Sequence, residues 1–216
     1  MNLNLIFQNK RIKELRYDYA ITERPMSNLI DFDYKTILKP PEPNNSKKTE
    51  KELSLISYAT TNRKNTDVEF IHNVDQDMDS FFIGLLNKQN LEYPYRYIGL
   101  FYDIVEPVLM NTKSFWNRPR PSQLAKLYNI PIDVIATDTI HTASYPSGHT
   151  VYAKLVANIL TEKYPKLADQ LEATAKNIGI ARIQQGVHYP SDNDASFVFS
   201  NFVYQKLQPR LKRYQS

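Results

Sequence analysis

Between Gly148 and Pro165 the apolar residues fall at Val151, Tyr152, Leu155, Val156, Ile159 and Leu160. That three- and four-residue spacing marks one face of an α-helix. Pro165 stops it, because proline has no N–H to donate and its ring crowds the preceding turn. The same period recurs on either side. Ile98, Phe101, Tyr102, Val105 and Leu109 predict a helix over 95–113 that Pro107 bends or splits. Leu167, Leu171, Thr174, Ile178 and Ala181 predict another, ending at Gly186. Pro190 stands where helices start, with Asp192 in the first turn of a last helix through Val198, Phe199 and Phe202. Nearer the N-terminus, Thr49 followed by Glu52 reads as a capping box for a helix to about Thr61. Asp67 is a cap for a second helix through Val68, Ile71 and Asp75, and Asp79 for a third with Phe82, Leu85 and Leu86 inward. No stretch alternates convincingly as a strand, and 5 glycines against 15 tyrosines disfavour a glycine-punctuated β-fold. The chain reads as all-α.

A chain of 216 residues buries one sizeable core, so a single domain is expected. Residues 1–38 mix charge and aromatics without a clear period and read as an arm packing on a body of residues 39–216. Lys39-Pro40-Pro41-Glu42-Pro43-Asn44-Asn45-Ser46 cannot be helical throughout, and 117–145 reads as loop. Without cysteine there is no disulfide, thiol nucleophile or cysteine–zinc site. Met1 to Leu15 lacks the features of a secretory signal. The best candidate for a membrane span, Tyr97 to Met110, is broken by Asp103, Glu106 and Pro107. The expectation is a soluble protein, cytoplasmic as the sequence stands or periplasmic if a leader has been removed. A net charge of +4 suits an anionic small molecule. Scattered positive charge without a basic-aromatic stripe argues against nucleic acid.

Three clusters carry chemistry. Lys113 and Arg120 stand seven positions apart in Lys113-Ser114-Phe115-Trp116-Asn117-Arg118-Pro119-Arg120-Pro121. Pro146-Ser147-Gly148-His149 leads straight into the 148–163 helix, where free N–H groups and the helix dipole favour an anion. Arg182, His188 and Asp192 form the third. Transfer of a phosphoryl group needs mainly positioning and charge stabilisation, which Lys113, Arg120 and Arg182 would supply, with the Ser147 hydroxyl and the close approach at Gly148 adding donors. Asp192, four residues after His188, can hold one ring nitrogen so that the other acts as a nucleophile. His149 can protonate the leaving group and then activate water. Arg118 reads as scaffold or surface at least as readily as a substrate contact.

The order K-x6-R-P, P-S-G-H, R-x5-H-x3-D resembles the signature of the type 2 phosphatidic acid phosphatase (PAP2) superfamily. That superfamily spans class A acid phosphatases, lipid phosphatases and vanadium haloperoxidases. Ser144-Tyr145-Pro146-Ser147-Gly148-His149-Thr150 and Ser191-Asp192-Asn193-Asp194-Ala195 most resemble the soluble class A enzymes. The resemblance implies a single-domain helical bundle of the PAP2/haloperoxidase type. It implies hydrolysis of small phosphomonoesters with an acidic optimum, a phosphorylated His188, His149 as acid–base and inhibition by vanadate. It also implies no metal or other cofactor, since basic side chains replace a cation, and a homodimer or higher oligomer. One departure is Ala181, where the family motif has serine. The competing readings are a lipid-phosphate phosphatase at a membrane surface, a vanadium haloperoxidase, and a non-catalytic anion-binding protein.

Overall fold

The computed structural model describes residues 3–17 and 23–214. Their α-helices are α1 (Leu3–Glu14), α2 (Lys47–Thr61), α3 (Asn65–Gln76), α4 (Asp79–Asn87), α5 (Tyr95–Trp116), α6 (Pro121–Tyr128), α7 (Gly148–Lys163), α8 (Ala168–Gln184) and α9 (Pro190–Leu211). Short 3-10 turns fall at Tyr34–Thr36, Pro165–Leu167 and Lys212–Tyr214. No strand occurs among the described residues. The fold is all-α.

The helix expected from the 148–163 period is α7, but it is more than amphipathic. Val151, Leu155, Val156, Ile159 and Leu160 are buried, and so are Ala153 and Ala157 on its other side. Those alanines give neighbours on both sides close access, and α7 packs chiefly against α8 and α9, with α5 also against it. The main core gathers this helix with Phe101, Val105, Val108 and Leu109 of α5, Leu171 and Ile178 of α8, and Phe199 and Val203 of α9. A second cluster, Ile12, Leu53, Ile56, Leu124, Ala125 and Tyr189, joins α1, α2, α6 and the start of α9. Of the arm expected over 1–38, residues 1, 2 and 18–22 lie outside the described residues. Within the rest, α1 is a helix that the sequence did not suggest.

Three further differences have physical reasons. Helix α5 runs unbroken through Pro107. Residue 103, whose carbonyl loses its partner there, is exposed, so water can take its place. Helix α6 arises inside the stretch read as loop: Pro121 takes the first helical position, and the Gln123 side chain accepts from Arg120 N at 2.8 Å. The cap of α2 is Ser46, whose hydroxyl accepts from Thr49 N at 3.1 Å. Glu52 is thereby free of the capping role assigned to it and turns inward.

Gly186 ends the turn after α8 with φ +84°, and a Cβ there would stand 2.9 Å from Ile132 Cγ2. Both conditions favour glycine, and the turn sets the position of His188 two residues on. Gly186→Ala should lower stability by roughly 1–2 kcal/mol, the cost of left-handed backbone for an L-residue, read as a fall in the thermal midpoint. An unchanged midpoint would show that the turn relaxes freely.

Candidate active site

Four cations lie under the surface where α5, α7, α8 and α9 approach one another. Lys113 is 3% exposed, Arg118 2%, Arg120 4% and Arg182 1%. Lys113 comes from the last turn of α5, and Arg118 and Arg120 from the loop that follows. Arg182 comes from the end of α8, and His188 and Asp192 from the start of α9. Ser147, Gly148 and His149 open α7. Each of the eight residues expected at the site from the sequence lies in this one cluster.

His188 is 2% exposed, and its two ring nitrogens have different surroundings. Nδ1 stands 3.2 Å from Asp192 Oδ2 and Nε2 2.9 Å from Arg120 Nη1. Because an arginine only donates, Nε2 must accept, which leaves the proton on Nδ1 facing the carboxylate. Burial, then the Arg120 charge, hold the His188 ring well below the usual histidine range. Asp192 Oδ2 also accepts from Ser144 Oγ at 2.5 Å and Tyr189 N at 3.0 Å, and Oδ1 accepts from Arg118 Nη1 at 2.6 Å. Burial alone would raise Asp192, but the Arg118 charge and the His188 bond outweigh it and hold the carboxyl below its ordinary value.

The remaining cations keep donors open. Lys113 donates to the Ala143 carbonyl at 2.7 Å, and burial, followed by repulsion from Arg120, lowers it well below an ordinary lysine. Arg120 is lowered to about 10 by burial, with the Arg182 charge adding to the effect, and it stays charged near neutrality. It donates to the carbonyls of Thr142 and Val187 at 2.9 Å each. Arg182 pairs with Asp75 and donates to Thr139 Oγ1 at 3.0 Å, yet its buried Nε finds no acceptor. A buried unpaired guanidinium N–H is a donor awaiting an oxygen. A Cβ at Gly148 would meet Lys113 Cε at 3.8 Å, ordinary contact. Packing within the protein therefore does not demand glycine there; its bareness leaves the first amides of α7 open toward the lysine. The arrangement suits a tetrahedral oxyanion. Among the described residues, no three His, Asp or Glu side chains are grouped to hold a metal ion.

Several residues at the cluster escaped the sequence reading. Asp75 of α3 pairs with Arg182, accepts from Gln185 at 2.7 Å and lies 3.4 Å from His149 Nε2. It was read only as one position on an inward helical stripe; an acid on an apolar face was the available signal. Arg118 joins Asp192 to Glu52 through its two terminal nitrogens, and its buried Nε, like that of Arg182, has no acceptor. Ala181 lies in the apolar core, fully buried. His141 is exposed in the 137–142 loop, whose Thr139 and Thr142 take bonds from Arg182 and Arg120. Tyr17 from the arm donates to Ile140 O in that loop at 2.6 Å.

A sequence model of the PAP2 superfamily matches residues 97–205, just over half of the chain. The chain belongs to the PAP2 superfamily. The matched range holds every site residue named from the sequence, while Glu52 and Asp75 of this PAP2 protein lie before it. A non-specific acid phosphatase of Salmonella typhimurium is 38% identical over 65 residues, and one of Salmonella typhi 37% over the same length. That stretch is 30% of this chain and 26% of each relative. The crystal structure of a transmembrane PAP2 type phosphatidylglycerolphosphate phosphatase from Bacillus subtilis is similar with a TM-score of 0.54 at 17% identity. The match covers 78% of this PAP2 chain and 88% of that one, a likeness of fold. No helix among the described residues here is long and apolar enough to cross a membrane.

His149 is lowered from 6.5 to about 4 by burial, against the raising effect of Asp75. His149, His188, Asp75 and Asp192 all have folded values below their unfolded ones. Each then adds stability that is present above its unfolded pKa and lost as pH falls toward the folded one. The histidines act below about 6.5 and the carboxylates below about 3.9. The ligand-free thermal midpoint should therefore fall from pH 7 to pH 4. Sulfate, whose charge is constant in that range, should restore part of it by favouring the protonated His149. A midpoint that is flat over this range would contradict the neutral, buried histidines.

Proposed function

We propose that this PAP2 protein is a phosphatase that hydrolyses dissolved phosphomonoesters without a metal, through a phosphohistidine at His188. The observation that carries this reading is the asymmetric ring of His188, with Nδ1 on Asp192 and Nε2 beside Arg120 in the field of Lys113. Phosphate oxygens would take the open donors of Arg182 Nε, Lys113 and the amides at the start of α7, which neutralise charge on a phosphoryl group in flight. As Arg120 Nη1 turns from Nε2 to a phosphate oxygen, the freed Nε2 lone pair forms the N–P bond while the bond from phosphorus to the leaving oxygen breaks. His149 gives that oxygen its proton, and the alcohol departs. Water then gives a proton to His149, its oxygen bonds to phosphorus, and the P–N bond breaks to release inorganic phosphate and restore His188. Asp192 offsets the positive charge of the ring while the phosphoryl group is attached.

The two histidines favour acid conditions together. His188 resists protonation because burial and Arg120 disfavour the cation, so the nucleophile survives at low pH. His149, near 4 when the site is empty, is held there first by burial and further by repulsion from Arg182 and Lys113. A bound phosphate cancels that repulsion and raises it into the range where it can donate a proton. The similarity of one 65-residue stretch to the Salmonella non-specific acid phosphatases supports small, varied monoesters as substrates.

Hydrolysis of p-nitrophenyl phosphate from pH 4 to 8 should persist in EDTA, fall with vanadate and vanish in His188→Ala. Failure on dissolved monoesters with hydrolysis of phosphatidic acid in mixed micelles would replace this reading with a lipid-phosphate phosphatase. His149→Ala should cost about 10²–10⁴-fold on an alkyl phosphate, whose leaving group needs a proton. The loss on p-nitrophenyl phosphate should be far smaller, because nitrophenolate leaves unaided. Equal losses on both esters would remove His149 from the acid role.

A further inference from the structure

Asp192 has two carboxylate oxygens with separate partners. Oδ2 faces His188, Ser144 and the Tyr189 amide, and Oδ1 takes Arg118 Nη1 at 2.6 Å. Arg118 therefore sets the rotation of the carboxylate that orients the nucleophile. Its other nitrogen, Nη2, donates to Glu52 Oε2 at 3.1 Å, and its guanidinium carbon lies 3.7 Å from the centre of the Tyr189 ring. Glu52, 7% exposed on α2, accepts from Ser191 N at 2.7 Å and from Ser191 Oγ at 2.9 Å. A side chain from a distant helix thus caps the N-terminus of α9, the helix that bears Asp192.

The charge count makes this more than a cross-link. An arginine bonded to Asp192 alone would form a neutral pair and cancel the negative charge that a cationic His188 requires. Glu52 adds a second carboxylate to the same guanidinium, so Glu52, Arg118 and Asp192 together carry one negative charge behind the ring. Burying three charges is costly, and apolar residues of similar volume often stabilise a fold as well or better. Fold stability alone therefore does not account for the trio.

We infer that Arg118 and Glu52 are positioning residues for the reaction: Arg118 orients Asp192, and Glu52 keeps the assembly negative so that Asp192 still stabilises a cationic His188. This rests on the reading of His188 as nucleophile.

Two variants test it, each measured with the full chain. Glu52→Gln keeps the shape and the bond to Ser191 N but removes the charge; Arg118→Lys keeps the charge but loses the fork that reaches both carboxylates. Both should fold, as judged by circular dichroism. In each, kcat on p-nitrophenyl phosphate should fall roughly tenfold or more, the scale of one charge-assisted hydrogen bond, with KM and the inhibition constant of inorganic phosphate within about twofold. Vanadate, which on this reading would bond to Nε2 and make the ring cationic, should weaken in proportion to kcat. Independently of turnover, the Nδ1–H proton resonance of His188 should move in Arg118→Lys in ¹⁵N-histidine-labelled protein. Vanadate affinity and Nδ1–H resonance both unchanged would reduce the trio to a cross-link and overturn the inference. A wild type that binds vanadate but hydrolyses nothing would instead fail the phosphatase reading, and the resonance and vanadate affinities would still decide the role of Arg118 and Glu52.

Discussion

Positive charge held out of water is the constraint on which this structure turns. Lys113, Arg118, Arg120 and Arg182 are each almost wholly buried, and Glu52, Asp75 and Asp192 balance them from within. Isolated buried charges cost several kcal/mol each even after relaxation. The cations are tolerated because carboxylates and backbone carbonyls receive most of their N–H groups, and because the remainder wait for an anion. The strain shows in the groups themselves: burial lowers Lys113 and Arg182, and only Arg118, caught between two carboxylates, is raised.

The bundle serves this cluster. Helix α7 is buried on most of its surface and acts as the post against which α8 and α9 stand, so that the start of α7, the end of α8 and the start of α9 meet at one place. Gly179 allows the close approach, for a Cβ there would press on Asn193 Nδ2 at 3.1 Å, and that amide donates to the Gly179 carbonyl at 2.7 Å. The Gly186 turn then carries the chain from Arg182 to His188 within six residues. Helices α2 and α3 add the balancing acids from behind. The cluster thus draws on both halves of the chain, although its motifs occupy only the second.

Much of this was legible in the sequence because it depends on local order. The period of Val151, Leu155, Ile159 and their neighbours required a helix wherever it was placed, and proline marked its end. The cluster of basic residues with two histidines was legible because each motif is short, running from one helix end no further than the next loop or helix start. What stayed hidden depends on distant pairing. Asp75 and Glu52 look like ordinary helical acids until α3 and α2 are packed against α8 and α9. Helix α6 was hidden by its prolines and by having only Pro121, Leu124 and Ala125 to bury, and α1 by a period too weak to separate from its charges.

The central claim is that a covalent bond forms between phosphorus and His188 Nε2. The most direct measurement is an alkaline quench of His149→Ala during turnover of p-nitrophenyl phosphate, followed by mass spectrometry of the peptide that holds His188. The account predicts a phosphoryl group on His188, retained in alkali and lost in acid, because the variant still forms the intermediate but lacks the base that hydrolyses it. Turnover without any phosphorylated peptide, or with the label on another residue, would contradict it.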